Sequence, residues 1–139
     1  MNLQAFLERR IDRAAAPLAV GDVLAIMLLL TVGSMNHIPG SFLTFVTDNP
    51  LYLPELYAPF LIGWVLTAPL VGAYSPGAVE SAKASIPLVI RSWIPAVAIG
   101  LLLRAFVFTG GAAPVFIVIM VVLGMVALGG WRALYFKLR

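Results

Sequence analysis

An aspartate inside an apolar segment is the residue of this sequence best suited to chemistry. Asp22 is the only charged residue in the run 17–34. At 1.5 Å per residue, its carboxylate would lie roughly 7–8 Å inside a membrane helix, where an unpaired charge is costly. Asp22 should therefore pair with a cation, be protonated or face a wet cavity.

Two arginines are predicted at a similar depth and are therefore candidate partners for Asp22. Arg91 lies near the start of a later apolar segment, and Arg132 lies near the end of the last one. A pair between Asp22 and either arginine would act as an interhelical clamp, whereas an Asp22 that faces a cavity would act as a proton or ligand site. The sequence leaves the choice of arginine open.

Other polar or aromatic residues are candidates for contacts with a ligand. Arg104 lies about one turn from the other end of its segment, where it could extend to lipid headgroups, pair with Glu55 or Asp48, or bind an anionic group. His37, the single histidine, is an interfacial polar residue, a pH sensor or a ligand contact. Trp64, near the middle of its predicted span, faces lipid, packs in the protein or lines a cavity.

The remaining residue types exclude several classes of function. The chain has no cysteine, one histidine and no phosphate-binding loop, nucleophile elbow or zinc-protease motif. No basic stripe interleaved with aromatic residues lies outside the apolar segments, which argues against nucleic-acid binding. We therefore expect a protein that is not an enzyme, with no catalytic residues, no metal site and no cofactor.

The composition indicates that these residues are held by membrane-spanning helices. Of the 139 residues, 62% are hydrophobic and only 11% are charged, and the mean hydropathy is +1.03. One soluble core could not bury that much apolar surface, so the lipid bilayer is the expected surrounding partner.

The hydrophobic segments predict an all-α fold, an integral membrane bundle of four transmembrane helices. A short amphipathic helix over 1–16 should precede a membrane domain over 17–139. The predicted spans are about 17–34, 56–74, 86–109 and 114–133. The segment 35–55, which contains three prolines, is too short and broken to span and should be interfacial or partly re-entrant.

The basic residues predict the orientation of the bundle. Lysines and arginines cluster before the first span, around the start of the third and at the C-terminus, while the two other connections contain none. By the positive-inside rule, both termini and the 75–85 connection should be cytoplasmic, in a multi-pass protein of the cell (plasma) membrane. Arg104 is the basic residue that departs from this pattern.

Several motifs resemble the domain-of-unknown-function family numbered 3054, a family of small multi-span membrane proteins of archaea and bacteria. They cover 21–25, 58–64, 68–74, 102–104 and 130–132, and the most specific stretch is Pro-Phe-Leu-Ile-Gly-Trp at 59–64. The resemblance implies a fold and a membrane location but no activity. It also implies that the family's recognisable motifs include Asp22, His37, Trp64, Tyr74, Arg104, Trp131 and Arg132.

The intramembrane charges and abundant prolines favour a non-enzymatic protein that binds or transports a small or lipid-like molecule. In this hypothesis the polar elements of the bundle are Asp22, Arg91, Arg104 and Arg132, with His37, Glu55 and Trp64 as loop or cavity contacts. The alternative is an accessory or structural subunit of a larger membrane complex. A transporter with four spans would be expected to form a homo-oligomer, because four spans are few for a complete pathway, and an accessory subunit would have a membrane-complex partner.

Overall fold

The computed structural model describes residues 3–108 and 110–139, and within these ranges the chain is helical without a strand. Residues 1 and 2 of the predicted amphipathic segment, and residue 109, the predicted end of the third span, lie outside the described residues. The helices are α1 (Leu3–Arg10), α2 (Ala16–Met35), α3 (Phe42–Asp48), α4 (Tyr52–Val71), α5 (Ala82–Phe106) and α6 (Pro114–Leu138). Short 3-10 turns cover Arg13–Ala15 and Pro76–Val79.

The prediction of a helical membrane bundle is confirmed, because four segments are long and apolar enough to cross a bilayer: Arg13–Met35, Tyr52–Val71, Ala82–Phe106 and Pro114–Leu138. Helices α4 and α5, the second and third spans, begin before residues 56 and 86, where the sequence predicted their starts. Helix α5 begins early because the Ser81 hydroxyl accepts a hydrogen bond from the Ala84 amide and caps the helix inside the polar connection.

The four long helices form a closed ring in which α2 contacts α4, α4 contacts α5, α5 contacts α6 and α6 returns to α2. Because four helices cross, the start of α2 and the end of α6 lie at one end of the bundle. We call this the termini end, and it also contains the connection 72–81. The opposite end, with the segments 36–51 and 107–113, is the loop end.

In the core, tryptophan rings pack against glycines. The Trp93 ring lies over Gly124, and its Nε1 donates a hydrogen bond to the Met120 carbonyl at 3.0 Å, which joins α5 to α6. Between α4 and α5, a Cβ added to Gly63 would overlap the Ala96 carbonyl oxygen. Glycine therefore sets the close approach of these helices, as is common in membrane bundles.

The N-terminal segment is less continuous than the helix predicted over 1–16. Helix α1 ends at Arg10, and the backbone is extended at Asp12. There the Asp12 amide donates a hydrogen bond to the Tyr74 carbonyl at 2.7 Å, and Ile11 forms an isolated bridge with Tyr74. The helix stops because this backbone pairs with the turn after α4 and cannot continue its own hydrogen-bond ladder.

The segment 35–55 contains a helix, α3, that the hydrophobic pattern did not indicate. The Ser41 hydroxyl accepts a hydrogen bond from the Thr44 amide at the start of α3, and the Phe45 ring packs edge-on against Tyr52 at a centroid distance of 5.0 Å. The cap and this aromatic contact place α3 against the start of α4 at the loop end.

Candidate functional site

Arg132 is the cationic partner of Asp22. Arg132 Nη2 lies 2.5 Å from Asp22 Oδ2, and Arg132 Nε donates a hydrogen bond to Asp22 Oδ1 at 3.2 Å. Both side chains are fully buried, on α2 and α6 near the termini end. The two parallel contacts form a bidentate pair, the strongest geometry for an arginine with a carboxylate.

The other side of the guanidinium binds two further parts of the bundle. Arg132 Nη1 donates to the Ala73 carbonyl and to the Ser85 hydroxyl, each at 2.9 Å. Ala73 lies in the turn after α4, and Ser85 lies in the first turns of α5. One side chain of α6 therefore binds α2, α5 and the turn that follows α4, all at the termini end. We call Asp22, Ala73, Ser85 and Arg132 the arginine clamp.

Tyr74 extends this polar cluster towards the core. Its hydroxyl accepts a hydrogen bond from Trp64 Nε1 at 2.7 Å, and its ring centroid lies 5.6 Å from the guanidinium carbon of Arg132. Burial, reinforced by the negative charge of Asp22, raises the pKa of Tyr74 well above its ordinary value. The tyrosine is therefore neutral at physiological pH. Trp64 is a buried member of this network, which corresponds to the packing alternative left open by the sequence.

The chemistry of the arginine clamp favours a structural role. A guanidinium has five N–H groups, and its contacts with Asp22, Ala73 and Ser85 use four of them. Both charges are sealed from solvent, so a ligand could reach them only if the helices moved apart. Of the two interpretations of Asp22, these contacts favour the interhelical clamp over a proton or substrate site.

Arg91 is exposed on α5 and takes no part in this pair. The sequence could not choose between Arg91 and Arg132, because depth along a helix is readable from the sequence whereas the rotation of the helix about its axis is not. The clamp also contains partners that the sequence analysis did not select, Ser85 and the Ala73 carbonyl. Ser85 lies at the polar start of α5, far from Asp22 and Arg132 in the sequence. Nothing in the sequence therefore indicated that it would contact them.

Arg104 belongs to the loop end. Its guanidinium carbon lies 4.5 Å from the centroid of the Phe116 ring on α6, and its Nε donates to the Gly111 carbonyl at 3.0 Å. Among the described residues, the ion pair that the structure shows is that of Asp22 with Arg132, at the other end of the bundle. The guanidinium folds back over the turn before α6 and remains half-buried.

His37 and Glu55 are both exposed at the loop end. His37 follows the last turn of α2, where its backbone amide donates to the Ser34 carbonyl at 3.0 Å. Glu55 lies in the first turn of α4. The structure thus separates six of the seven predicted site residues into two groups and leaves Arg91 exposed outside both. Asp22, Trp64 and Arg132 lie inside the termini half, and Arg104, His37 and Glu55 lie at the loop end.

A long apolar groove lies between α2 and α6. It has a volume of about 1310 Å³ and extends from Pro17, near the termini end, to His37 at the loop end. One wall is a stripe on α2 at four-residue spacing, Val20, Leu24, Leu28 and Val32. The facing wall on α6 includes Val115, Phe116, Ile119, Leu123, Ala127 and Trp131. We call this the α2–α6 groove.

The polar residues of the α2–α6 groove are concentrated at its loop end, where Arg104, Ser34, Asn36 and His37 contribute to the lining. At the other end, the Trp131 ring packs on Gly21, and its Nε1 donates to the Leu18 carbonyl at 3.4 Å. The groove is therefore amphipathic along its length. Within the described part of the chain, no group of three or more acidic, histidine or cysteine side chains could hold a metal ion.

Comparison with known proteins identifies a family. A family model described as "Protein of unknown function (DUF3054)" matches residues 19–135. This range contains α3 to α5, most of α2 and most of α6. It includes the arginine clamp and all of the α2–α6 groove lining except Pro17. No curated protein and no solved structure matches the chain.

Proposed function

The chain belongs to the DUF3054 family of proteins of unknown function, and we propose that it is a non-enzymatic membrane protein that binds a lipid-like molecule in the α2–α6 groove. The observation that carries this proposal is the amphipathic character of the groove. Its walls are aliphatic along most of their length, and its charged and polar residues lie at one end. A molecule with an apolar chain and a polar head matches that distribution.

The dimensions of the groove support the same class of ligand. Residues 17 to 34 of α2 line it at intervals, which corresponds to a length of roughly 25 Å at 1.5 Å per residue. A small polar metabolite would leave most of that apolar surface unfilled. A lipid chain that lies parallel to α2 would contact Leu28 and Val32 on one wall and Ile119 on the other.

The arginine clamp contributes to this function indirectly. It ties α2 to α6 at the termini end, through Asp22 and Arg132, and so fixes the separation of the two walls. A buried pair is a suitable fastener because breaking it would leave a charge without a partner in a site closed to water. The groove then stays open while the helices remain joined.

The proposal is tested by identifying what remains bound to the full chain after purification in a mild detergent. Lipid content per protein is measured by mass spectrometry for the wild type and for Leu28→Trp, which would fill the groove. The matched control is Ile94→Trp, an equally drastic change at an exposed site of α5 outside the groove lining. We expect about one tightly retained lipid per wild-type chain, its loss in Leu28→Trp and its retention in Ile94→Trp.

Two results would contradict the proposal. One is a wild-type protein that retains no lipid, and the other is equal retention by the two tryptophan variants. If a stoichiometric protein partner co-purifies and Leu28→Trp releases it, the α2–α6 groove serves an accessory subunit's contact with its complex, and the lipid proposal is wrong.

A further inference from the structure

Among the described residues that line the α2–α6 groove, Arg104 is the one with a cationic side chain. Its position is fixed by three contacts. Its guanidinium lies on the Phe116 ring and its Nε binds the Gly111 carbonyl, while Gly110 packs against the same guanidinium. A Cβ at residue 110 would overlap the arginine head, and the backbone there has φ +123°, a conformation that favours glycine. The turn before α6 thus accommodates the arginine at the end of the groove.

Among the described residues that line the groove, Arg104 is the one that carries a full charge, and that charge is positive. The loop-end segments 36–51 and 107–113 contain no lysine or arginine, so Arg104 is the basic residue closest to that membrane interface. Helix α6 also begins there, at Pro114, and its N-terminal partial positive charge adds to that of the guanidinium. Asp48 and Glu55 are the acidic residues at the same end, and both are exposed to solvent.

An isolated arginine near the end of a membrane helix can extend its long side chain into the headgroup region. Arg104 instead folds over α6 and contributes to the wall of the groove. A partly desolvated guanidinium beside an aliphatic channel is complementary to a ligand that carries a negative charge at the end of an apolar chain. His37, exposed at the same end of the groove, adds a polar ring that can hydrogen-bond to such a headgroup.

We infer that the occupant of the α2–α6 groove is an anionic phospholipid of the leaflet at the loop end, with its phosphate at Arg104. Its acyl chain would extend from there between Val32 and Leu28 of α2 and Ile119 of α6. This inference rests on the proposed function, since it adds the headgroup class to a lipid site. It assigns Arg104 as the residue that selects the headgroup, while the apolar walls supply most of the affinity without distinguishing one lipid from another.

The test places the full chain in nanodiscs made from equal amounts of phosphatidylglycerol and phosphatidylcholine. Lipids retained after transfer to detergent are then compared with the starting mixture by mass spectrometry. The wild type should enrich phosphatidylglycerol about fivefold, the effect expected of one favourable lipid–arginine contact near the membrane surface. Arg104→Gln should remove the enrichment and keep the total retained lipid, and Arg104→Lys should keep part of the enrichment.

The control is Arg91→Gln, which removes a charge from an exposed site of the same helix outside the groove and should leave the enrichment unchanged. Circular dichroism melts confirm that each variant is folded. Retained lipid without enrichment in the wild type, or equal enrichment in Arg104→Gln, would overturn the headgroup inference and leave the lipid-binding proposal standing. A wild-type protein without retained lipid would overturn both.

Discussion

Arg132 and Asp22 form a bidentate ion pair with both side chains fully buried, although 110 residues separate them in the sequence. The pair joins the first and last spans, and two further bonds from the same guanidinium reach Ala73 and Ser85. Since breaking a buried pair leaves one charge uncompensated, the whole bundle should be sensitive to either partner.

Removing the carboxylate should destabilise the protein strongly. Asp22→Leu leaves Arg132 charged and buried, and we expect a loss of about 3–5 kcal/mol in the free energy of unfolding. The double variant Asp22→Leu/Arg132→Met should recover much of that loss, because no unpaired charge remains. Unfolding in mixed detergent and SDS micelles measures both values, with Arg91→Met as the control for an exposed arginine. Additive losses from the two single changes would show that the residues are not coupled.

The contact of Gly21 with Trp131 should tolerate no larger side chain. A Cβ at residue 21 would overlap the indole ring, so Gly21→Ala should cost about 1–3 kcal/mol as an overpacked site. On the same helix, a Cβ at Gly33 would meet no atom within 4 Å. Gly33→Ala should therefore be neutral or slightly stabilising, because alanine favours a helix over glycine. Equal effects of the two substitutions in the SDS unfolding assay would show that the Trp131 ring does not rest on Gly21.

The sequence indicated depth and composition better than it indicated contacts. It placed Asp22 at the level of Arg91 and Arg132, since the ends of hydrophobic segments can be identified in the sequence. Which arginine pairs with Asp22 depends on how α5 and α6 are rotated about their axes, and the sequence does not show this. The α2–α6 groove could not be predicted either. Its width depends on the distance at which the arginine clamp and the packing of Trp131 hold α2 and α6. The exposed faces of these two helices have the same composition in the sequence as any lipid-facing surface.

The N-terminal segment shows a second reason why the sequence did not predict the whole fold. Its apolar residues recur at helical spacing, and the prediction of one helix over 1–16 used that spacing alone. The break after Arg10 comes from a backbone contact between Asp12 and Tyr74, residues that are far apart in the sequence. A local pattern carries no information about such a contact. The same holds for α3, which depends on its Ser41 cap and on the packing of Phe45 against Tyr52.

The hydroxyl of Tyr74 should contribute to stability through Trp64. Tyr74→Phe removes the acceptor of the indole N–H, and a buried donor left without a partner costs about 1–3 kcal/mol. We expect this loss in SDS unfolding at neutral pH. Tyr135→Phe, near the C-terminal end of α6, is the control for loss of a tyrosine hydroxyl. A Tyr74→Phe protein as stable as the wild type would contradict the hydrogen bond.

Tyr74 should also make the stability of the protein depend on pH in the alkaline range. Burial, and then the charge of Asp22, raise the pKa of Tyr74 in the folded protein above that of the unfolded chain. The folded state therefore holds its proton more tightly, so this contribution to stability is complete below pH of about 10 and declines as the pH rises further. Unfolding measured from pH 8 to 11 should show a smaller decline in Tyr74→Phe than in the wild type. Identical slopes would contradict the assignment.

The orientation of the bundle can be tested directly, because the chain contains no cysteine and a single introduced thiol reports one site. Thr44 on α3 and Glu80 in the connection before α5 are exposed at opposite ends of the bundle. From the distribution of lysine and arginine, we expect the loop end to face outward. A membrane-impermeant maleimide should therefore label Thr44→Cys in intact cells and Glu80→Cys only after permeabilisation. Both substitutions leave every lysine and arginine in place, so neither removes the charges that set the topology. The reverse labelling pattern would mean that both termini face outward, and the anionic lipid would then be drawn from the cytoplasmic leaflet.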